Sequence, residues 1–119
     1  MPPNEIYYPA CFKNQLDKIL KKYKNSEESI IGLINSLAKN PSQGDRIPRF
    51  GVVHLRKLRL PLKKYRIGKS GGLRVIYMIG ENCNTIFMVA IYSKRDCNNE
   101  KSIVSMIKEN LRAIDEEIS

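Results

Sequence analysis

The hydrophobic period of this chain changes at Asn40-Pro41, and that change sets its fold class. Before it, apolar residues recur at helical spacing. After it, as far as Ser93, they alternate or run together at strand length. Phe12, Leu16, Ile19, Leu20 and Tyr23 form one helical stripe. Lys18, Lys21, Lys22 and Lys24 fill the exposed face and the last turn, where cations suit the helix dipole. Ser26 reads as an N-cap with Glu27 and Glu28 in the first turn of a second helix, whose buried stripe is Ile30, Ile31, Ile34 and Leu37. Asn40-Pro41 ends that helix, and a loop over Ser42-Gln43-Gly44-Asp45 follows.

Val52 to Leu60, Leu73 to Ile79 and Thr85 to Ser93 then read as strands. Gly68, Gly71 and Gly72 mark the first connection, and Gly80-Glu81-Asn82 with Asn84 marks the second, so these neighbours are antiparallel. Ile103, Met106, Ile107, Leu111 and Ile114 give a final amphipathic helix, with Asn98 or Asn99 as its cap. Ile6 to Tyr8 is a further short strand segment. No repeat or linker interrupts residues 1–119. The reading predicts one α+β domain: an N-terminal helical hairpin on one face of a small antiparallel sheet of three to four strands, with a C-terminal helix.

A chain of 119 residues buries about two-thirds of its unfolded surface without staples. Three cysteines, Cys11, Cys83 and Cys97, are odd in number and widely spaced, which fits neither a disulfide framework nor a metal-ligand pattern. The longest apolar run, Ile86 to Tyr92, is too short to span a bilayer. The opening MPPNEIYYPACF lacks the charged start and apolar core of a secretory signal. These features predict a cytoplasmic protein with no cofactor, no metal and no membrane partner.

The charge is segregated. Ten Lys or Arg residues lie between Arg46 and Gly80 with no Asp or Glu among them, whereas the remainder holds eleven basic and twelve acidic residues. The net charge of +9 is therefore local. A solvated lysine-rich surface normally intersperses acids, so a carboxylate-free stretch suits a polyanion such as nucleic acid. Period-2 alternation puts Lys57 and Arg59 on one side of their strand and Leu58 and Leu60 on the other. Arg74 starts the corresponding side of the next strand, followed by Ile76 and Met78. Leu55 and Arg56 do not continue the alternation cleanly, which marks a bulge or strand start.

Several chemistries are excluded. Gly68-Lys69-Ser70 matches the end of a phosphate-binding P-loop, but that motif needs a glycine where Lys63 stands and a strand-to-helix context. His54, the lone histidine, reads as structural. The basic region has no carboxylates to hold a two-metal nuclease site. Cations alone suffice for RNA: the 2′-hydroxyl attacks the adjacent phosphodiester when geometry is held in line and Arg or Lys neutralises the developing charge. Clustered cations lower one another's pKa, so one lysine can serve as base.

Leu55-Arg56-Lys57-Leu58-Arg59, Gly68-Lys69-Ser70-Gly71-Gly72-Leu73-Arg74-Val75-Ile76-Tyr77 and Ile91-Tyr92-Ser93-Lys94 together resemble the RelE/ParE toxin superfamily, in its HigB-like branch. The segment Asn40-Pro41 through Gly44-Asp45-Arg46-Ile47-Pro48 resembles the loop before the first core strand in that branch. The resemblance covers most of the chain. It implies a ribosome-dependent mRNA endoribonuclease of a toxin–antitoxin module. Its partners would be mRNA in the ribosomal A site and an antitoxin with a helix-turn-helix fold. Residue by residue, it implies that Lys57 and Arg59 contact mRNA phosphates, that Arg74 stabilises the phosphate, and that Lys69 and Lys94, or Arg95 beside it, complete the site. Arg56, Lys63, Lys64 and Arg66 are the expected flanking phosphate contacts. Nothing after Tyr92 is Tyr or His, which leaves the general base open; Tyr92 itself reads as packing. Two alternatives remain: ParE-like gyrase inhibition, and a non-enzymatic RNA-binding module. The second is disfavoured by the few aromatics in the basic stretch.

Overall fold

The computed structural model describes residues 4–51, 54–80 and 84–119. Its elements run β1 (Glu5–Tyr7), α1 (Ala10–Lys22), α2 (Glu27–Lys39), β2 (Asp45–Arg46), β3 (Leu55–Leu60), β4 (Leu73–Ile79), β5 (Thr85–Ser93) and α3 (Glu100–Ile118). This is an α+β fold with the predicted C-terminal helix. Val52 and Val53, read as the start of the strand that runs to Leu60, lie outside the described residues, as do Glu81, Asn82 and Cys83. No helix among the described residues is long and apolar enough to cross a membrane.

The sheet differs from the sequence expectation. It has five strands in the order β1-β5-β4-β3-β2, and it is mixed. β1 pairs with β5 in parallel, Glu5 opposite Thr85, because the whole helical hairpin and three strands intervene before β5 arrives. β2 is a two-residue strand inside what reads as loop, with Asp45 opposite Lys57 and Arg46 opposite Arg56. Two residues carry no detectable period, so this strand has no sequence signature.

The helices also cover both faces rather than one. Phe12, Ile30, Ile34 and Leu37 of α1 and α2 pack with Leu73, Val75, Tyr77, Ile86, Met88 and Ile91 on one face. On the other, Ile103, Ile107 and Ile114 of α3 pack with Leu55, Ile76, Val89 and Ala90. The reason lies in β4 and β5, whose interiors are apolar on both sides: Val75 to Tyr77 and Met88 to Ile91 are all buried. Strands of that composition need cover twice.

Helix termini follow local chemistry. Asn99 caps α3, its side chain accepting from the Ser102 N–H at 3.0 Å. Ser26 does not cap α2. Its Oγ donates to the Tyr23 carbonyl at 2.6 Å, closing the single 3-10 turn, Lys24–Ser26, that joins the first two helices.

One irregularity decides which side chains reach the site. The β4–β5 register shifts between Ile76 and Tyr77: Ile76 faces Ala90, Tyr77 faces Met88, and Val89 is the extra residue. A bulge of this kind flips the alternation beyond it. Val89 and Ala90 both turn toward α3, and Tyr92 comes to the same face as Arg74 instead of the opposite one. The bulge is held from both helical layers. Asn110 Nδ2 donates to the Val89 carbonyl at 2.9 Å and to Gln15 Oε1 at 3.2 Å, and Gln15 Oε1 also accepts from the Ile91 N–H.

Candidate nucleic-acid interface

The α3 face of the sheet is apolar at one end and cationic at the other. Leu55 on β3 is buried against α3, and two and four residues on, the same face carries Lys57 and Arg59. The alternation through Leu55 is therefore continuous; what changes is the helix cover. Arg59 lies directly opposite Arg74, and Arg74 directly opposite Tyr92, so the three side chains form a row across β3, β4 and β5.

Two arginines facing each other on adjacent strands repel. Two arrangements offset this. Arg59 Nη1 stands 3.3 Å from Asp45 Oδ2, which β2 brings alongside. Arg74 points into backbone carbonyls: its Nη1 donates to the Lys69 oxygen at 2.6 Å and its Nη2 to the Ser70 oxygen at 3.1 Å. Arg74 is only 6% exposed, so it is built into the fold as well as into the cationic row. It braces the glycine-rich connection. That connection is tight: a β-carbon at Gly72 would collide with the Leu60 carbonyl oxygen.

Lys94 arrives on the turn after β5. The Lys94 N–H donates to the Gly72 carbonyl at 2.9 Å and the Arg95 N–H to that of Gly71 at 3.2 Å, tying this turn to the same connection. The turn is anchored behind by Asp96, which accepts from Tyr23 Oη at 2.6 Å and pairs with Lys22 Nζ at 2.7 Å.

The electrostatics make Lys57 the distinctive group. Burial, and then the charges of Arg59, Arg74 and Lys94, pull its ammonium below the ordinary lysine value; Asp45 opposes them. Burial, and then Arg59, also lowers the Arg74 guanidinium, which nonetheless remains charged. Burial raises the Tyr92 phenol, while Arg74 and Arg59 draw it back.

Lys57, Arg59, Arg74 and Lys94 are thus brought together. The other expected residues are not. Arg56 lies on the opposite face beside Tyr77, its Nη1 donating to the carbonyls of Ser42 and Gly44 at 3.0 and 2.6 Å, so it fixes the loop before β2 rather than facing a ligand. Lys63, Lys64 and Lys69 line a cleft on the helical-hairpin side. Lys69 contributes its carbonyl to the site, not its ammonium. Arg66 is exposed in a left-handed turn at φ 57°, and Arg95 is exposed on the Lys22 side of the β5 turn. Sequence reasoning missed two members of the site, Asp45 and Tyr92. The first stands one residue outside the acid-free stretch. The second is placed by a bulge that period-2 counting does not see.

No family model matches the chain, and no curated protein matches it by sequence. Among solved structures it is similar to a double arginine-to-alanine mutant of the E. coli toxin RelE in the free state, at 14% identity and a TM-score of 0.47, over 81% of this chain and 88% of that one.

Proposed function

We propose that this protein is the toxin of a toxin–antitoxin module and cleaves mRNA on the ribosome through attack of the 2′-hydroxyl. The observation that carries the reading is the convergence of Lys57, Arg59, Arg74 and Lys94, from two strands and a turn, on one uncovered end of a sheet face. The acid-free run from Arg46 to Gly80 and the family resemblance of its Gly68–Tyr77 segment support it. Among the described residues, no three His, Cys, Asp or Glu side chains gather where they could hold a metal ion.

In the proposed reaction, Lys57 takes the 2′-hydroxyl proton, which its lowered ammonium pKa favours. The 2′-oxygen attacks phosphorus and the bond to the 5′-oxygen breaks. Arg59 releases Asp45 and neutralises the phosphoryl oxygens. The Lys94 ammonium protonates the leaving 5′-oxygen. The products are a 2′,3′-cyclic phosphate and a 5′-hydroxyl. Arg74 adds positive field from below while bracing the connection, and Tyr92 forms the wall beside it. The partners of this reading are A-site mRNA and a neutralising antitoxin, for which the resemblance suggests a helix-turn-helix fold.

Incubating the protein with translating ribosomes and mapping new mRNA ends tests this. The expected result is 5′-hydroxyl ends that vanish with Arg59→Ala. Intact mRNA under conditions where the protein arrests growth would overturn it, and inhibited DNA supercoiling in the same cells would point to gyrase instead.

A further inference from the structure

A second surface lies across the sheet from the cationic row. Leu60, Pro61, Leu62 and Tyr65 floor a cleft of about 450 Å³ between the segment after β3 and the start of α2. Leu62 is buried and the other three half-buried, so the floor is apolar and anchored in the core. Its rim carries exposed Lys63, Lys64 and Lys69, and among the described residues no acid lines it. An adjoining open groove shares Asn25 and Lys64 with it and is lined by Ile31, a large apolar side chain left 48% exposed.

We infer that this cleft docks an acidic peptide segment of a partner protein through an apolar anchor side chain. Three lysines around an apolar floor complement carboxylates that flank a Leu- or Ile-type residue, and Ile31 extends the apolar track beyond the cleft. RNA fits this surface less well. Glu27 and Glu28 line the adjoining groove, where a peptide can place uncharged residues beside Ile31 while its carboxylates stay over the cleft's lysines, whereas a phosphate chain carries charge at every step. The Tyr65 ring is held in place rather than free to turn toward a base, because it packs edge-to-face with Tyr23 at 5.1 Å while its hydroxyl accepts from the Asn25 N–H at 3.1 Å. Lysines also lack the bidentate fork that arginines bring to phosphate. The inference rests on the cleft alone and stands or falls independently of the cleavage reading.

The test is a selection of random twelve-residue peptides displayed on phage against the full chain, followed by anisotropy of the winning sequences as labelled synthetic peptides. Selected peptides should be acidic with one or two apolar residues. Ser29→Trp, an exposed cleft-lining position on α2, fills the cleft and should weaken them at least tenfold. Lys64→Glu should do the same, and Lys57→Ala, across the sheet, should leave them unchanged. Thermal melts establish that each variant is folded. Failure to enrich any peptide, enrichment of neutral or basic ones, or indifference to Ser29→Trp would overturn the inference. So would weakening of a labelled twelve-nucleotide oligouridine by Ser29→Trp, which would make the cleft a nucleic-acid subsite.

Discussion

Arg74 Nη1 donates to the Lys69 carbonyl oxygen at 2.6 Å, so these two basic residues are joined through backbone rather than through a shared phosphate. Arg74→Ala therefore has two effects. It removes positive field under Arg59, and it frees the Lys69 and Ser70 carbonyls, which loosens the connection that also accepts the Lys94 and Arg95 amides. The stability loss should be about 1–3 kcal/mol, seen as a lowered melting temperature. RNA cleavage should fall ~100-fold or more even well below the melt. Arg74→Lys keeps the charge but cannot bridge both carbonyls and should recover little. A variant with wild-type melting and wild-type cleavage would show that the brace is dispensable.

Lys57 predicts a pH signature. Its ammonium is destabilised in the folded protein, chiefly by burial, so the native state binds that proton less tightly than the unfolded chain does. The sign follows: with more protons on the unfolded state, stability rises with pH from the folded value of Lys57 up to the ordinary lysine value. Below that window the charged lysine costs stability in full. As the base, Lys57 should give cleavage a limb that rises with pH. Lys57→Ala should abolish the limb and lower the rate by ~100- to 10,000-fold. A rising limb retained in Lys57→Ala would assign the base elsewhere.

Asp45 pairs with Arg59 and sits opposite Lys57, so it restrains both. Asp45→Asn should free Arg59 for phosphate and strengthen binding of a single-stranded RNA at low salt. The salt dependence should steepen by somewhat less than one charge's worth. It should also remove the interaction that holds the Lys57 ammonium up, moving the rising limb of the pH profile to lower pH. Because the ion pair is exposed, the melting temperature should barely move. Weaker RNA binding in Asp45→Asn would mean that the carboxylate orients Arg59 rather than competing for it.

The sequence made the site legible where side chains obey a period. Lys57 and Arg59 share a side because they are two apart on a strand, and Arg74 follows by hairpin pairing. The helical hairpin and the three main strands came from the same kind of signal, whereas the α3 cap was narrowed only to Asn98 or Asn99. What escaped was set by contacts that no period encodes. β2 exists because Asp45 and Arg46 meet β3, not because two residues prefer to be extended. Arg56 reads as one more cation in a basic run, yet it is taken up by the Ser42 and Gly44 carbonyls. Burial of Arg74 depends on where the 68–72 backbone folds back. The two-sided helix cover was foreshadowed by the apolar runs in β4 and β5, a signal that outweighs the alternation of β3.

The Val89 bulge supplies the last prediction. Asn110 holds the Val89 carbonyl at the point where β5 changes phase, and that phase puts Tyr92 beside Arg74. Asn110→Ala leaves a buried carbonyl without its donor and frees Gln15 from one of its two partners, a loss of roughly 1–3 kcal/mol. The more specific consequence is in register. A β5 strand relaxed by one residue would turn Tyr92 toward the helical hairpin and Ile91 toward the cations, because side chains alternate with period two. Asn110→Ala should therefore reduce RNA binding and cleavage at temperatures where it is fully folded, although Asn110 lies on α3 and touches no cation of the site. Hydrogen exchange at the Ile91 amide, which donates to Gln15, should accelerate alongside. A lowered melting temperature with unchanged RNA affinity and unchanged Ile91 exchange would show that the bulge is fixed by the strands alone.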